Sequence, residues 1–455
     1  MSTVNTRNQS TAPSTRASSI AAGRPSLRLR ASSALASGNL RQTACALADQ
    51  GIVSAASFVA TVLVGRSGDS RQLGAFALGS SIALLAVSIQ DALVASPFTV
   101  FATRLSGKPR RQYAGSLLAH QALLALCVLV TLGVTAAAWA LLRGWTAMTP
   151  VLAVLAVATP PVMLREFARR YNFADLRIAG ALRLDAAVAL LQVAGLSALY
   201  ATGWLDAALA HVAIGLACGL GAIVWLASQA SAFEPISSNI APEMARSWRF
   251  GKWLLAGQLV GFSPAYIVQW LLAIVLDTAA TGALAAAMTL VLLSNPLVIG
   301  IGNLLAPRIA RGYAQGGAAQ LARTVDRFTL VLFAFMSAFC AGLWLLGPML
   351  LDIFYQGRYS DQATTVNVLG LGVLAGAVGY AYDHGLRALE RTEATLRANL
   401  VGLCTTIGAT ALLTPVAGLQ GAAGGFLLGN LASSGARLWA YRVALRQAKR
   451  AEAAP

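Results

Sequence analysis

The chain is 455 residues long, 57% hydrophobic and only 11% charged, with a mean hydropathy of +0.66 and a formal net charge of +17. That composition excludes a soluble globular protein and places the chain in a lipid bilayer. The basic excess then concerns topology and anionic headgroups, and it argues against a nucleic-acid partner.

Residues 1–42 are rich in Ser, Thr, Ala and Arg, with no acid before Asp49, and read as a disordered basic cytoplasmic tail. The same composition resembles an organellar transit peptide. No cleavable signal peptide is evident, because the first apolar segment is long enough to span.

A spanning helix needs about 20 apolar residues. Twelve segments meet that length, at roughly 43–64, 76–101, 114–142, 148–164, 185–203, 207–227, 253–276, 283–305, 328–350, 365–386, 398–417 and 420–441. Long apolar runs without period-two alternation exclude a β-barrel. The polar stretch 228–252 divides an N-lobe (43–227) from a C-lobe (253–441), and a basic tail follows at 442–455. With both termini cytoplasmic, every Lys and Arg except Arg66, Arg71, Arg143 and Arg358 falls on the inner side of an inner (plasma) membrane. Cys45, Cys127, Cys218, Cys340 and Cys404 are scattered singly, as small packing residues are.

The two halves echo each other. LREFAR (164–169) over LRALER (386–391) aligns Leu164, Arg165 and Arg169 with Leu386, Arg387 and Arg391. Leu93, Val94 and Arg104 match Leu297, Val298 and Arg308 in the same way. The expected fold is therefore all-α integral membrane: twelve transmembrane helices in two six-helix lobes, related by a pseudo-twofold axis and bounding a V-shaped central cleft. Pro97, Pro160, Pro161, Pro264, Pro296, Pro348 and Pro415 fit bent helices whose freed carbonyls face protein or a watery cavity.

A charge inside the membrane costs roughly 2.5 to 3.5 kcal/mol on insertion scales, so it marks a cavity or a partner. Asp49 with Gln50, Gln90 with Asp91, Asn295, and Asp383 with His384 are the candidate cleft or ion-coupling residues. Asn303, Gln258, Gln269, Gln192, His120, His211 and Asn430 are weaker neutral cases. Arg165 and Arg169 stand four apart, as do Arg387 and Arg391, so each pair can share a helix face. With Arg104 and Arg308 they form a candidate cradle for a phosphate or pyrophosphate at the cytoplasmic mouth, where the bland reading is a set of snorkelling anchors.

The segment DQGIVSAASFVATVLVGRSGDSRQLGAFAL (49–78) resembles the first hairpin of the bacterial O-antigen and exopolysaccharide flippases, at Asp49, Gln50, Ser54, Phe58, Arg66, Gly74 and Phe76. The resemblance continues through IQDALVASPF, LREFARRYNFA, LLSNPLVIGIGNLLAPRIARG, LLGPMLLDIFYQGRYSDQA and GLQGAAGGFLLGN, covering roughly residues 41–445. That family belongs to the multidrug/oligosaccharidyl-lipid/polysaccharide exporter superfamily. The resemblance implies a transporter that moves undecaprenyl-pyrophosphate-linked oligosaccharide from the cytoplasmic to the periplasmic leaflet by alternating access. Its implied partners are that lipid-linked oligosaccharide, anionic membrane lipids and the machinery that polymerises or ligates the glycan. An ion-coupled multidrug and toxin exporter is the alternative. A polyprenyl-linked glycan polymerase or glycosyltransferase is disfavoured by short outer loops without a nucleophile and base pairing. No catalytic residue, metal or cofactor is expected, and no GxxxxGK[ST] is present to bind ATP.

Overall fold

The computed structural model describes residues 26–234 and 240–453, with side chains from residue 44 onward except at 262, 263, 303, 304, 306 and 307. The chain divides into two compact units, Met1–Cys45 and Ala46–Pro455. Residues 1–25 of the expected tail lie outside the described residues, while residues 26–42 already belong to the first helix.

The described residues are almost wholly α-helical: α1 Ser26–Ser67, α2 Ser70–Gln90, α3 Ser96–Phe101, α4 Gly107–Arg143, α5 Met148–Ala174, α6 Ile178–Ala201, α7 Ala207–Ser228, α8 Ile240–Val275, α9 Thr278–Val291, α10 Asn295–Tyr355, α11 Ala363–Ala388 and α12 Thr392–Ala453. Three begin on an aspartate whose carboxylate accepts a first-turn N–H: Asp69 from Gln72, Asp206 from Leu209 and Asp277 from Ala280. The second span passes from α2 through a π-helical turn, Asp91–Ala95, into α3. Pro97 stands two residues beyond it, and its missing N–H releases one backbone carbonyl of that turn.

Ten of these helical stretches are long and apolar enough to cross a membrane, eleven when the bent α8 counts as one span. The 62-residue α12 breaks at Gly418, whose φ of 57° an L side chain tolerates poorly, and so supplies two crossings. Among the described residues this makes twelve stretches of crossing length, in line with the apolar segments.

The repeat is legible in the backbone. Leu176 and Glu390, 214 positions apart, both adopt left-handed φ just beyond α5 and α11. Both helices close with the same six-residue bond, Arg177 N–H to the Asn172 carbonyl (2.8 Å) and Arg391 N–H to the Leu386 carbonyl (2.9 Å). This register corrects the one drawn from LREFAR and LRALER: Arg391 corresponds to Arg177, and Arg169 corresponds to Asp383. It also corrects the shared arginine face of the second pair. Arg387 lies in the last turn of α11, but Arg391 follows the left-handed break.

A second echo lies between α2 and α9, where Asp69-Ser70 and Gly74 match Asp277-Thr278 and Gly282, 208 positions on. These helices cross so closely that a Cβ on Gly74 would strike the Thr278 carbonyl and one on Gly282 the Ser70 carbonyl. The contact is reciprocal, as an axis between two equivalent halves requires. Nearby, Arg66 donates to the Phe354 and Ile353 carbonyls at the end of α10, at 2.6 Å each, and Arg358 donates to the Gly68 carbonyl.

Burial follows the same division. One core draws on both halves and holds Leu73, Leu152, Leu284 and Tyr355 near the α1–α2 turn. Toward the other, arginine-rich end the core splits. Phe98, Tyr113, Phe167 and Trp225 pack among α3, α4, α5 and α7, while Leu305, Val325, Leu386 and Tyr441 pack among α10, α11 and α12. The two lobes are thus joined at one end and separately cored at the basic end. Residues 235–239 of the expected linker lie outside the described residues. Its second part is already α8, held to the N-terminal half by Phe250 against Phe101 (5.5 Å between ring centroids) and by His120 at 3.0 Å from the Ile240 carbonyl.

Candidate functional site

The charges of the N-terminal half gather on α5. Its segment Arg165-Glu166-Phe167-Ala168-Arg169-Arg170 places Arg165 and Arg169 on one face and Glu166 and Arg170 on the next, by the 3.6-residue period. Glu166 lies 3.3 Å from Arg165, 3.3 Å from Arg169 and 3.1 Å from Arg170. Neighbouring helices supply further carboxylates. Asp185 of α6 lies 2.6 Å from Arg165 and 2.7 Å from Arg169, and Asp49 of α1 accepts from Arg169 at 2.8 Å. At the π-helical turn, Asp91 lies 3.2 Å from Arg170 and accepts from Gln258 of α8 at 2.8 Å. Four carboxylates and three guanidiniums make one network, which reaches α8 through the Asp91–Gln258 bond.

This geometry corrects the phosphate cradle. Arg165 and Arg169 keep only 13% and 15% of their side-chain surface, and Asp49 and Asp185 keep none. Guanidiniums already enclosed by carboxylates do not attract a pyrophosphate. Buried pairs of this kind add little net stability, but removing one partner costs about 3 to 5 kcal/mol because the other charge is stranded. Asp49 and Asp91 are corrected in the same way, being bound carboxylates rather than open cation sites.

The remaining candidates scatter. Gln90 is fully buried and donates to the Met163 carbonyl at 2.9 Å, a tie between α2 and α5 rather than a cleft group. Gln50 is half-buried, Asn295 is exposed, and the Asn303 side chain lies outside the described residues. Arg104 and Arg308 are exposed and form no ion pair among the described residues. Arg391 reaches Gln447 at 3.3 Å. In the C-terminal half Asp383 is buried and pairs with Arg387 at 2.8 Å, and His384 stands edge-on to Tyr380 at 4.7 Å. Arg437, deeper on α12, donates to the Asn399 side chain at 2.5 Å, and its Nε has no hydrogen-bond partner among the described residues.

Between the halves lies a cavity of about 390 Å³. Its walls come from α1, α2, α5, α6 and α7 on one side and α8 and α9 on the other, with Val53, Phe76, Leu84, Leu155, Met288 and Leu292 among the apolar lining. Ser57, Thr61, Thr159, Gln192, His211 and Gln269 interrupt that surface. The charged residues among the described lining are Arg165 and Asp185. Glu166, Arg170 and Asp185 escaped the sequence reading. Glu166 and Arg170 lie inside the motif singled out for its arginines, and Asp185 opens an apolar segment, a visible signal of an acid entering the membrane.

No family model matches the chain, and no curated protein matches it in sequence. Solved structures do. The chain is similar to an inward-facing multidrug resistance MATE family transporter of the MOP superfamily, with a TM-score of 0.74 at 14% identity over 89% of this chain and 99% of the other. The outward-facing conformation of a MATE family transporter of the MOP superfamily gives 0.64 at 13% identity over 90% and 96%. A MOP superfamily transporter from Pyrococcus furiosus, described as having a binding pocket of reversed polarity that suggests a different function, gives 0.64 at 14% identity over 90% and 96%. These likenesses establish the MATE-like two-lobed fold.

Proposed function

We propose that the chain is a membrane exporter working by alternating access, with its arginine-rich end and both termini in the cytoplasm of a bacterial inner membrane. One observation carries the reading: the lobes share a core at one end, have separate cores at the basic end, and enclose a cavity lined by both. Rigid lobes that exchange which end is shared would present that cavity to either side in turn. The higher likeness to an inward-facing than to an outward-facing conformation supports assigning the split end to the cytoplasmic side.

The largely apolar cavity and its neutralised arginine pair favour an amphipathic solute of the kind a multidrug exporter carries. The test is uptake of fluorescent amphiphiles into inside-out vesicles containing the full chain. Transport above empty vesicles is expected, and none across a broad panel would refute the reading.

A second reading is favoured by Arg104, Arg308 and Arg391, which remain exposed. Here the cargo is undecaprenyl-pyrophosphate-linked oligosaccharide, handed on to polymerase or ligase machinery, with anionic lipids around the basic mouth. With the inside negative, a headgroup bearing two charges runs outward downhill by roughly 4 to 5 kcal/mol at 100 mV, so ion coupling is not required. Lipid-linked intermediates that accumulate inside a deletion strain, shielded from an external glycosidase, would favour this cargo. Normal levels and accessibility would remove it.

A further inference from the structure

We infer that the central cavity selects a neutral amphiphile, one whose polar end carries amide or hydroxyl groups and neither a fixed positive nor a fixed negative charge. The inference deepens the exporter reading and rests on it only in taking the cavity as the place where cargo sits.

Arg165 and Asp185 both reach the cavity, and they are bound to each other at 2.6 Å. Asp185 is also held by Arg169 at 2.7 Å, so neither member of the pair is a free counter-ion. A cationic cargo finds no unpaired carboxylate among the described lining residues, and an anionic one finds no unpaired guanidinium. An ion entering a mostly apolar cavity without a counter-ion gives up hydration that nothing there replaces.

Neutral polar groups, by contrast, are offered partners. His211 is 5% exposed and stacks on Phe76, with ring centroids 4.9 Å apart. Its Nε2 has no hydrogen-bond partner among the described residues and packs where a Cβ on Gly79 would strike it. Thr159 of α5 and Gln269 of α8 line the same cavity, together with Ser57 and Thr61 of α1 and Gln192 of α6. Hydroxyl and amide side chains lining one space from both lobes, with no free charge among them, recognise a group that both donates and accepts, as a primary amide or a hydroxyl does.

The test uses three probes on one naphthylbutyl skeleton, ending in a carboxamide, a carboxylate or a trimethylammonium group. Equilibrium binding is measured on the full chain in phosphatidylcholine nanodiscs, whose neutral lipid does not bias partitioning. The carboxamide is expected to bind saturably and at least tenfold tighter than either ion. Gln269→Leu and Thr159→Val should each weaken the carboxamide several-fold while leaving the ions near their already weak level. Asp185→Asn, which strips Arg165 of its closest carboxylate partner, should improve the carboxylate probe selectively. The inference is overturned if either ion binds as tightly as the carboxamide, if the carboxamide shows no saturable binding, or if neither cavity substitution changes it. Selective binding without uptake into proteoliposomes would refute the exporter reading and leave the site standing. Uptake without charge selection would do the reverse.

Discussion

Replacing Gly74 and Gly282 by alanine should pry open the end at which the lobes are joined. Each new methyl group would be built against a carbonyl oxygen of the facing helix, Thr278 or Ser70. Carbon needs about 3.5 Å from a non-bonded neighbour, so α2 and α9 must separate by on the order of 1.5 Å. The Arg66 bonds to Ile353 and Phe354, now 2.6 Å each, would then stretch past hydrogen-bonding range. At the low end of the charged hydrogen-bond range, about 1.5 kcal/mol each, plus about 1 kcal/mol for overpacking, the joined state loses about 4 kcal/mol. With tenfold per 1.4 kcal/mol, the balance between joined and separated ends shifts by nearly a thousandfold. Spin labels at the exposed Leu142 and Val416, in a chain with its 5 cysteines replaced, report the separation by pulsed electron resonance. Gly133→Ala is the control, since nothing lies within 4 Å of a Cβ there. An unchanged distance distribution in a folded, monodisperse double variant would show that this crossing does not hold the lobes together.

Arg66→Ala alone should give a smaller shift in the same assay, and no shift would mean that the carbonyl clasp is incidental. Asp185→Ala should lower stability by about 3 to 5 kcal/mol by stranding Arg165 and Arg169, whereas Arg165→Met with Asp185→Leu should recover much of it; thermal unfolding in detergent decides this. Gly418→Ala should cost about 1 to 2 kcal/mol through its left-handed backbone, read as a modest fall in melting temperature, and an unchanged melting temperature would contradict a required break in α12. If proton coupling operates through Asp91 or Asp383, Asp91→Asn with Asp383→Asn should flatten the pH dependence of transport; an unaltered profile excludes both as coupling groups.

The spans were legible because apolar length is a one-dimensional property. The register of the repeat was less accessible. Matching Arg169 to Arg391 follows residue identity, whereas the halves agree in backbone at Leu176 and Glu390, which share no chemistry. The better signal was Asp69-Ser70 with Gly74 against Asp277-Thr278 with Gly282, a small-residue pattern that abundant leucine and arginine obscured. The error at the site has a related cause. Spacing shows that Arg165 and Arg169 share a face, but what meets that face comes from Asp49, 120 positions from Arg169, and from Asp185 across a turn. Long-range pairing of this kind leaves no trace in the periodicity of either helix.

The crossing of α2 and α9 has the form of an isologous contact: Gly74 meets Thr278 as Gly282 meets Ser70, the rule by which two copies of one subunit meet across a dyad. The chain thus behaves as a dimer whose subunits have been fused, with its seam preserved at the joined end. Away from the seam the subunits have parted company. Where the first half holds Arg169 between Asp49 and Asp185, the second places Asp383 beside Arg387 at the equivalent position. A half made to pair with its own copy would keep the seam but would carry two identical polar interiors in place of the two different ones.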